Sequence, residues 1–99
     1  MIVGKLVRDQ IPEIMRREGR HPEVEQINGD RLRTALKDKL IEEADELQHA
    51  EDITEELADV LEVIEALITA YNLDPERVNT IKTDKKNNRG GFTAGWYLT

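Results

Sequence analysis

Apolar residues recur along most of this chain with the spacing of a helix. Between residues 30 and 50, Leu36, Leu40 and Leu47 belong to one stripe when positions are placed at about 100° each. Between residues 52 and 71, apolar side chains cover more than half of the helical circumference, which is typical of a helix packed on several sides. The two patterns predict two long successive helices.

Shorter elements flank these helices. Residues 9–18 have the spacing of a short helix that stops at Gly19, and residues 5–8 before it are expected to be extended. Residues 20–29 alternate weakly and finish in Asn28-Gly29, a pattern of a loop or short strand closed by a turn.

Capping residues predict where the later helices begin and end. Asp52 is the predicted N-cap of the third helix, with Glu55 at the third helical position in a capping-box arrangement, and Asn72 ends that helix. Asp74 is expected to cap a fourth helix with Pro75 at its first position.

The fourth helix is expected to fade over residues 87–91. The following tail, residues 91–99, is predicted to be extended and to pack on the helices through its large side chains. These are Phe92, Trp96, Tyr97 and Leu98. The chain is therefore predicted to be all-α, a small bundle of about four helices with short extended terminal segments, forming one domain over residues 1–99.

Composition excludes several kinds of chemistry. The 99 residues include no cysteine, so disulfides, thiolate nucleophiles and zinc-thiolate sites are ruled out. Neither a membrane span nor a secretion signal is evident, and a cytoplasmic location is expected. The net charge of -7 argues against general nucleic-acid binding, which needs a basic surface.

Charge is unevenly distributed along the sequence. Twelve acidic residues lie between Asp38 and Glu65 with one basic residue, Lys39, whereas residues 1–20 and 76–89 each carry five basic residues. An acidic centre between basic segments suits a central cation with an anionic ligand around it. Solvated helix faces are the alternative explanation.

Four carboxylates occupy positions that the helical pattern assigns to the interior. Glu43 lies in the middle of the apolar stripe of the second helix, and Glu46 lies at its edge one turn later. On the third helix, Glu56 and Asp59 project among apolar residues. The acids on its narrow opposite face are predicted to be solvated; they are Glu55, Glu62 and Glu65.

Inward carboxylates need compensation, because an ionised carboxylate in apolar surroundings costs several kcal/mol. Two helices joined by a tight turn near residues 50–52 are antiparallel neighbours, which brings the two acidic pairs face to face. A divalent ion such as Mg²⁺, which prefers oxygen ligands, is one way to neutralise them. The alternative is that Lys39 pairs with Glu43 while Glu56 reaches a distant arginine.

The spacing of these acids resembles that of a known family. The segments 39–47 and 56–60 contain the E-x-x-E and E-x-x-D pairs of the MazG-like all-α NTP pyrophosphatases, a superfamily that includes phosphoribosyl-ATP pyrophosphohydrolase. Residues 5–12 and 89–92 are similar to the terminal signatures of a short subgroup of that superfamily.

The resemblance implies a catalytic activity and its cofactor. It implies Mg²⁺, with Mn²⁺ as a possible substitute, held by Glu43, Glu46, Glu56 and Asp59. It also implies cleavage of a nucleoside triphosphate between the α and β phosphates, in a homodimer or homotetramer with sites near subunit boundaries.

Further residues are assigned roles on this hypothesis. An inward carboxylate such as Glu43 accepts a proton from the attacking water, and Glu42 is a candidate for a supporting or general-base role, with an ordinary exposed glutamate as its alternative. Candidates to hold the phosphates are Lys5, Arg8, Lys82, Lys85 and Arg89, for which surface solubility is the competing explanation.

Two non-enzymatic functions compete with hydrolysis. One is a helical assembly module, because the third helix is too apolar all round for a chain of this size to cover. The other is a nucleotide-binding protein that has lost hydrolysis through the short connection of residues 47–55 between the acidic pairs.

Overall fold

The computed structural model describes residues 4–99, which contain four helices and no β-strand. The helices are α1 (Ile11–Arg17), α2 (Gly29–His49), α3 (Thr54–Ala70) and α4 (Pro75–Arg89). The predicted all-α class and the number of helices are therefore confirmed, while residues 1–3 of the predicted domain lie outside the described range. None of the described helices is both long and apolar enough to cross a membrane.

The helices α2 and α3 form an antiparallel hairpin. Arg33, near the start of α2, donates a hydrogen bond to the carbonyl oxygen of Ala70 at the end of α3 over 3.5 Å. The Arg33 guanidinium and the Lys37 ammonium lie 5.6 Å and 5.1 Å from the centroid of the Tyr71 ring. These cations stabilise the carboxyl end of α3, where the helix dipole is negative.

The core of the hairpin is small. Among the described residues only Leu36, Val63 and Glu43 are classed as buried, at 5%, 8% and 6% exposure. One of the three most buried side chains is thus a carboxylate on the apolar stripe of α2, as the helical pattern predicts.

The end of α3 follows from a single asparagine. Asn72 has a φ of 52°, in the left-handed region that asparagine tolerates better than most residues. The backbone N–H groups of Asn72 and Leu73 then donate to the carbonyls of Thr69 and Ile68, at 3.0 Å and 2.9 Å. This is a Schellman motif, and it confirms Asn72 as the residue that ends the helix.

Two predicted helix starts differ in detail from the structure. The N-cap of α3 is Ile53, and Asp52 acts from one residue earlier by accepting hydrogen bonds from the backbone N–H and the hydroxyl of Thr54, at 3.0 Å and 2.7 Å. Glu55 is consequently the second helical residue, so the predicted capping box was wrong. For α4, the predicted Asp74 cap is confirmed by a 2.9 Å bond from the N–H of Glu76.

The segment before α2 contains no strand. Residues 20–28 lack regular structure, and the turn expected at Asn28-Gly29 is instead the start of α2, with Asn28 as the N-cap. Asparagine and glycine favour helix starts as well as turns, so the pair that predicted a turn is equally suited to an extended N-cap residue followed by a helix.

The predicted packing of the C-terminal tail was wrong. Phe92, Trp96, Tyr97 and Leu98 are between 89% and 100% exposed. The helix α4 contains no buried residue, and extensive contact between helices is confined to the α2–α3 hairpin in the described part of the chain. In a single chain, α4 and the tail therefore project from a two-helix hairpin.

Candidate metal centre

Three glutamates of α2 form a compact acidic cluster. Each of Glu42, Glu43 and Glu46 offers a carboxylate oxygen, and these oxygens lie within 4.8 Å of one another. Residues three and four positions apart are neighbours on a helix surface, which brings Glu46 close to both Glu43 and Glu42. Glu43 is buried, Glu42 is half-buried and Glu46 is exposed, so the cluster runs from the hairpin core to solvent.

The Glu43 carboxylate has one oxygen with a partner and one without. Its Oε1 lies 3.2 Å from the Lys39 Nζ, whereas its buried Oε2 has no hydrogen-bond partner among residues 4–99. A buried acceptor without a partner forfeits about 1–3 kcal/mol, and more when the group is charged. A cation or a hydrogen-bond donor beside Glu43 Oε2 would offset this cost, and no group of the described residues provides one.

Asp59 of α3 faces the same region as Glu43. Both residues line a cleft of about 310 Å³ together with Lys5, Arg8 and Lys39. Arg8 Nη2 donates to Asp59 Oδ1 over 2.6 Å, although the Asp59 side chain remains 38% exposed. The cleft thus places two predicted metal ligands and two predicted phosphate ligands around one space.

Glu56 is not brought into this arrangement. It is half-buried on α3, but it belongs neither to the acidic cluster nor to the residues that line the cleft beside Glu43. Of the four predicted ligands, Glu43 lies beside Glu46 in the acidic cluster and lines the cleft with Asp59, whereas Glu46 does not line that cleft and Asp59 does not belong to the cluster. The three α3 acids predicted to be solvated are all exposed; they are Glu55, Glu62 and Glu65.

Lysine side chains already compensate part of the acidic cluster. Lys39 lies 3.4 Å from Glu42 in addition to its contact with Glu43, and Lys5 lies 3.1 Å from Glu42. The expected alternative pairing of Lys39 with Glu43 is therefore present, whereas no ion pair of Glu56 occurs among residues 4–99. Glu42 is not an ordinary exposed glutamate, because two lysines hold it against the cluster.

These contacts shift the proton affinities of the cluster. Burial favours neutral Lys39, but its bond to Glu43 and attraction to Glu42 outweigh that effect and raise the pKa of Lys39. Burial likewise opposes ionisation of Glu42, yet Lys5 and Lys39 lower the pKa of that carboxyl. The neighbouring Glu43 carboxyl raises the pKa of Glu46. The chief cause of the raised pKa is a hydrogen bond that protonated Glu46 shares with Glu43, and repulsion by the Glu43 charge adds to it.

Lys39 is a residue of this site to which the sequence analysis gave no functional role. Its side chain is only 16% exposed, and it bridges Glu42 and Glu43. The signal was present in the sequence, because residues three and four positions apart on a helix are neighbours. The predicted phosphate ligands of α4 are Lys82, Lys85 and Arg89. In the described part of the chain, none of them lines the cleft beside Glu43 or a second cleft beside Glu42.

The donor set fits a hard divalent cation. Glu42, Glu43 and Glu46 supply carboxylate oxygens alone, which suits Mg²⁺, and Asp59 lines the adjoining cleft. Glu43 Oε2 is buried without a hydrogen-bond partner among residues 4–99. Lys5, Lys39 and Arg8 offset most of this negative charge. The cluster is therefore close to neutral without a metal ion, so an arriving cation competes with basic side chains for its ligands.

No protein-family model, curated protein or solved structure matches this chain.

Proposed function

We propose that this protein is a Mg²⁺-dependent nucleotide pyrophosphohydrolase that cleaves a nucleoside triphosphate between its α and β phosphates. The proposal is supported chiefly by the buried Glu43 carboxylate, whose Oε2 has no partner. The adjacent Glu42 and Glu46 and the cleft shared with Asp59 add to this support. The spacing of these acids resembles that in the MazG-like pyrophosphatases, and the proposed reaction is inferred from this resemblance.

The basic residues of the cleft are proposed to exchange partners when the substrate binds. Lys5 and Arg8 now pair with Glu42 and Asp59, at 3.1 Å and 2.6 Å. Phosphate oxygens offer these side chains equivalent charge-assisted hydrogen bonds. Transfer of Lys5 and Arg8 to the substrate frees Asp59 and leaves Glu42 with Lys39 alone, so the nucleotide and the metal ion are expected to bind more tightly together than separately.

The carboxylates then serve the metal and the water. Glu43, Glu46 and Asp59 would hold Mg²⁺, for which Mn²⁺ is a plausible substitute, while Glu56 requires a rearrangement to join them. Mg²⁺ held there would neutralise charge at the phosphates and make the attacking water more acidic. Glu42, which keeps its contact with Lys39 and lies beside Glu43, is proposed to accept the proton of the attacking water.

The central experiment measures pyrophosphate release from a panel of canonical and damaged nucleoside triphosphates, with and without Mg²⁺. Glu43→Gln preserves the shape of the buried side chain but removes its charge, and it is expected to lower Mg²⁺-dependent turnover at least a hundredfold. Glu62→Gln on the exposed face of α3 is the matched control and is expected to retain activity. Turnover that is insensitive to Mg²⁺ and to Glu43→Gln would refute the proposal.

A non-catalytic assembly module is the second candidate function. It is favoured by the lysine and arginine contacts that already offset the acids and by the exposed apolar residues of α3 and the tail. An assembly module has no use for a buried carboxylate, so Glu43→Leu should then raise the free energy of unfolding and preserve association. If the Glu43→Leu variant instead loses both hydrolysis and Mg²⁺ binding, the enzyme is the favoured function.

A further inference from the structure

The N-terminal arm, residues 4–19, lies against the hairpin without joining its core. It consists of residues 4–10, which form neither helix nor strand, and of α1. None of its residues is buried, and its apolar side chains Leu6, Ile11 and Met15 are half-buried. Extensive contact between helices is confined to α2 and α3 among residues 4–99, so α1 is not packed into the bundle. A segment with few buried apolar contacts separates from the rest of a protein at low cost in free energy.

Two ion pairs join the arm to the hairpin. Lys5 Nζ lies 3.1 Å from Glu42 Oε1, and Arg8 Nη2 lies 2.6 Å from Asp59 Oδ1. The other ion pairs of the arm in the described chain are local and join residues two or three positions apart. The four side chains of the two long-range pairs are between 31% and 57% exposed, and exposed pairs of this kind are individually weak. Docking of the arm therefore depends on two weak polar contacts and on apolar side chains that are only partly covered.

The carboxylates that hold the arm belong to the candidate metal centre. Glu42 is a member of the acidic cluster, and Asp59 shares the cleft with Glu43. A divalent cation among these acids repels Lys5 and Arg8 and competes for the oxygens that they contact. Because a coupling between two binding events is reciprocal, the docked arm weakens metal binding by the same factor by which bound metal weakens docking.

Nucleotide phosphates are expected to have the opposite effect on the arm. The cleft of about 310 Å³ is lined by both the arm and the hairpin, so a ligand in it contacts the two together. Lys5 and Arg8 are the charged residues of the arm in that lining, and phosphate oxygens accept charge-assisted hydrogen bonds from both types of side chain. A triphosphate bound with Mg²⁺ therefore offers the arm new partners in place of Glu42 and Asp59.

The segment that follows the arm allows it to move. Residues 20–28 lack regular structure, and nine residues span up to roughly 30 Å when extended. Gly19, at the junction, has a φ of 80°, and a β-carbon there would meet no atom within 4 Å. Glu25 pairs with Arg31 of α2 through side chains that are 68% and 67% exposed, which tethers only the far end of this linker. The arm can therefore leave the cleft without disturbing the hairpin.

We propose that the N-terminal arm is a lid whose position depends on the occupant of the acidic site. In the metal-free protein, Lys5 and Arg8 hold it closed on Glu42 and Asp59. The arm is released when Mg²⁺ alone occupies the site, and it closes again when Mg²⁺ and a nucleoside triphosphate are bound together. The second closure rests on the proposed function, whereas release requires only that the acids bind a divalent cation.

Double electron–electron resonance measures the position of the arm, since the chain has no cysteine and accepts two spin labels at chosen sites. Arg17→Cys on α1 and Gln48→Cys near the end of α2 are both exposed positions. Labelled chains are diluted into excess unlabelled protein, so that only distances within one chain are recorded. The metal-free protein should give one narrow distance distribution. Mg²⁺ at constant ionic strength should broaden it towards longer distances, and Mg²⁺ with a non-hydrolysable nucleoside triphosphate should restore it.

A variant without the two basic side chains tests the ion pairs directly. Lys5→Gln together with Arg8→Gln should raise the ratio of released to docked arm roughly twofold to thirtyfold without metal, the range for two exposed ion pairs. Arg16→Gln together with Arg20→Gln is the matched control, because it removes the same charge from pairs that do not reach the hairpin. The control should keep the narrow distribution and should still respond to Mg²⁺.

The lid and the hydrolase fail separately when pyrophosphate release is measured beside these distances. A protein that releases pyrophosphate while its arm keeps one distance in all three states would overturn the lid alone. A protein whose arm is released by Mg²⁺ but that hydrolyses no nucleotide would refute the hydrolase and support the release. If the arm stays docked without Lys5 and Arg8, apolar contacts hold it and the proposal is wrong. An arm that stays released with Mg²⁺ and nucleotide together would overturn the second closure.

Discussion

Arg8 donates a 2.6 Å hydrogen bond to Asp59 in a cleft that Glu43 also lines. Removing Arg8 is therefore expected to change the affinities for Mg²⁺ and for the nucleotide in opposite directions. Arg8→Gln should tighten Mg²⁺ binding in the absence of nucleotide by up to about fivefold, because an exposed ion pair is worth at most about 1 kcal/mol. The same change should weaken nucleotide binding by about tenfold or more, since a charged hydrogen bond contributes about 1.5–3 kcal/mol.

Titration calorimetry with Mg²⁺ and with a non-hydrolysable nucleotide measures both effects of the Arg8 change. Arg17→Gln, on an exposed turn of α1, is the control and should alter neither affinity. An Arg8→Gln protein that binds Mg²⁺ less tightly than wild type would show that Arg8 supports the metal site instead of competing for it.

Glu46 gives the metal-free protein a defined dependence on pH. The neighbouring Glu43 carboxyl raises the pKa of Glu46 in the folded state. The folded protein therefore retains a proton that the unfolded chain loses near the ordinary glutamate pKa of about 4.3. This stabilisation is present below that value and is lost as pH rises through the raised pKa. Glu46→Gln should consequently be more stable than wild type at neutral pH, and the difference should shrink as pH falls.

Urea unfolding in the presence of a chelator, at neutral and at acidic pH, measures the effect at Glu46. Glu65→Gln lies on the solvated face of α3 and should leave the midpoint unchanged at either pH. A Glu46→Gln protein that is less stable than wild type at neutral pH would mean that the charged Glu46 side chain makes a favourable contact in the folded state.

Individual residues differ in how far the sequence could place them. Glu43 was predictable, since the apolar stripe of α2 assigns its position to the interior by helical spacing alone. The contacts of Lys5 and Arg8 with Glu42 and Asp59 were not, because they join a segment without regular structure to helices 37 and 51 positions away. Helical periodicity gives no information about contacts of that kind.

At the scale of helices, the end of α3 depends on one backbone conformation. Asn72 has a φ of 52°, which costs a residue with a β-carbon about 1–2 kcal/mol but costs glycine little. Asn72→Ala should lower the free energy of unfolding by about 1 kcal/mol, whereas Asn72→Gly should preserve it. Asn79→Ala, an exposed position within α4, is the control and should have no comparable effect.

Chemical unfolding of the three variants decides the role of Asn72. If Asn72→Ala and Asn72→Gly are equally stable, the left-handed conformation does not limit the stability of the hairpin. The result bears on the site, because the same turn fixes where α3 ends relative to Arg33 and thereby how α3 aligns with α2.

The helices themselves were largely predictable, and their boundaries were less so. Asn72 and Asp74 were assigned correctly because each satisfies a local backbone requirement that is visible in the sequence. The start of α3 was misplaced because Asp52, as an exposed carboxylate, caps the Thr54 N–H equally well from outside the helix. Local side-chain chemistry thus identifies a helix end to within a residue or two.

At the scale of the whole molecule, sequence reasoning correctly predicted that α3 has more apolar surface than a single chain covers. It wrongly predicted that the tail packs on the helices of its own chain. The large side chains at Phe92, Trp96 and Leu98 indicate burial, and the sequence does not distinguish burial within one chain from burial against a second copy. In the structure α4 and the tail leave the hairpin instead of returning to it, so these side chains are not buried within the single chain.

The family resemblance implies a homo-oligomer, and acidic α3 and basic α4 carry opposite charges that would attract two copies of the chain. Salt should therefore weaken association of the chains. The Debye length, which is the distance over which charges interact in solution, falls from about 10 Å at 0.1 M salt to about 3 Å at 1 M. The dissociation constant should consequently rise roughly tenfold between 50 mM and 500 mM NaCl, and Lys85→Gln should weaken the low-salt dimer while reducing this dependence. Sedimentation equilibrium across the salt series measures both quantities. An association that strengthens with salt would mean that apolar contact alone holds the copies together, with like charges turned toward one another across the interface.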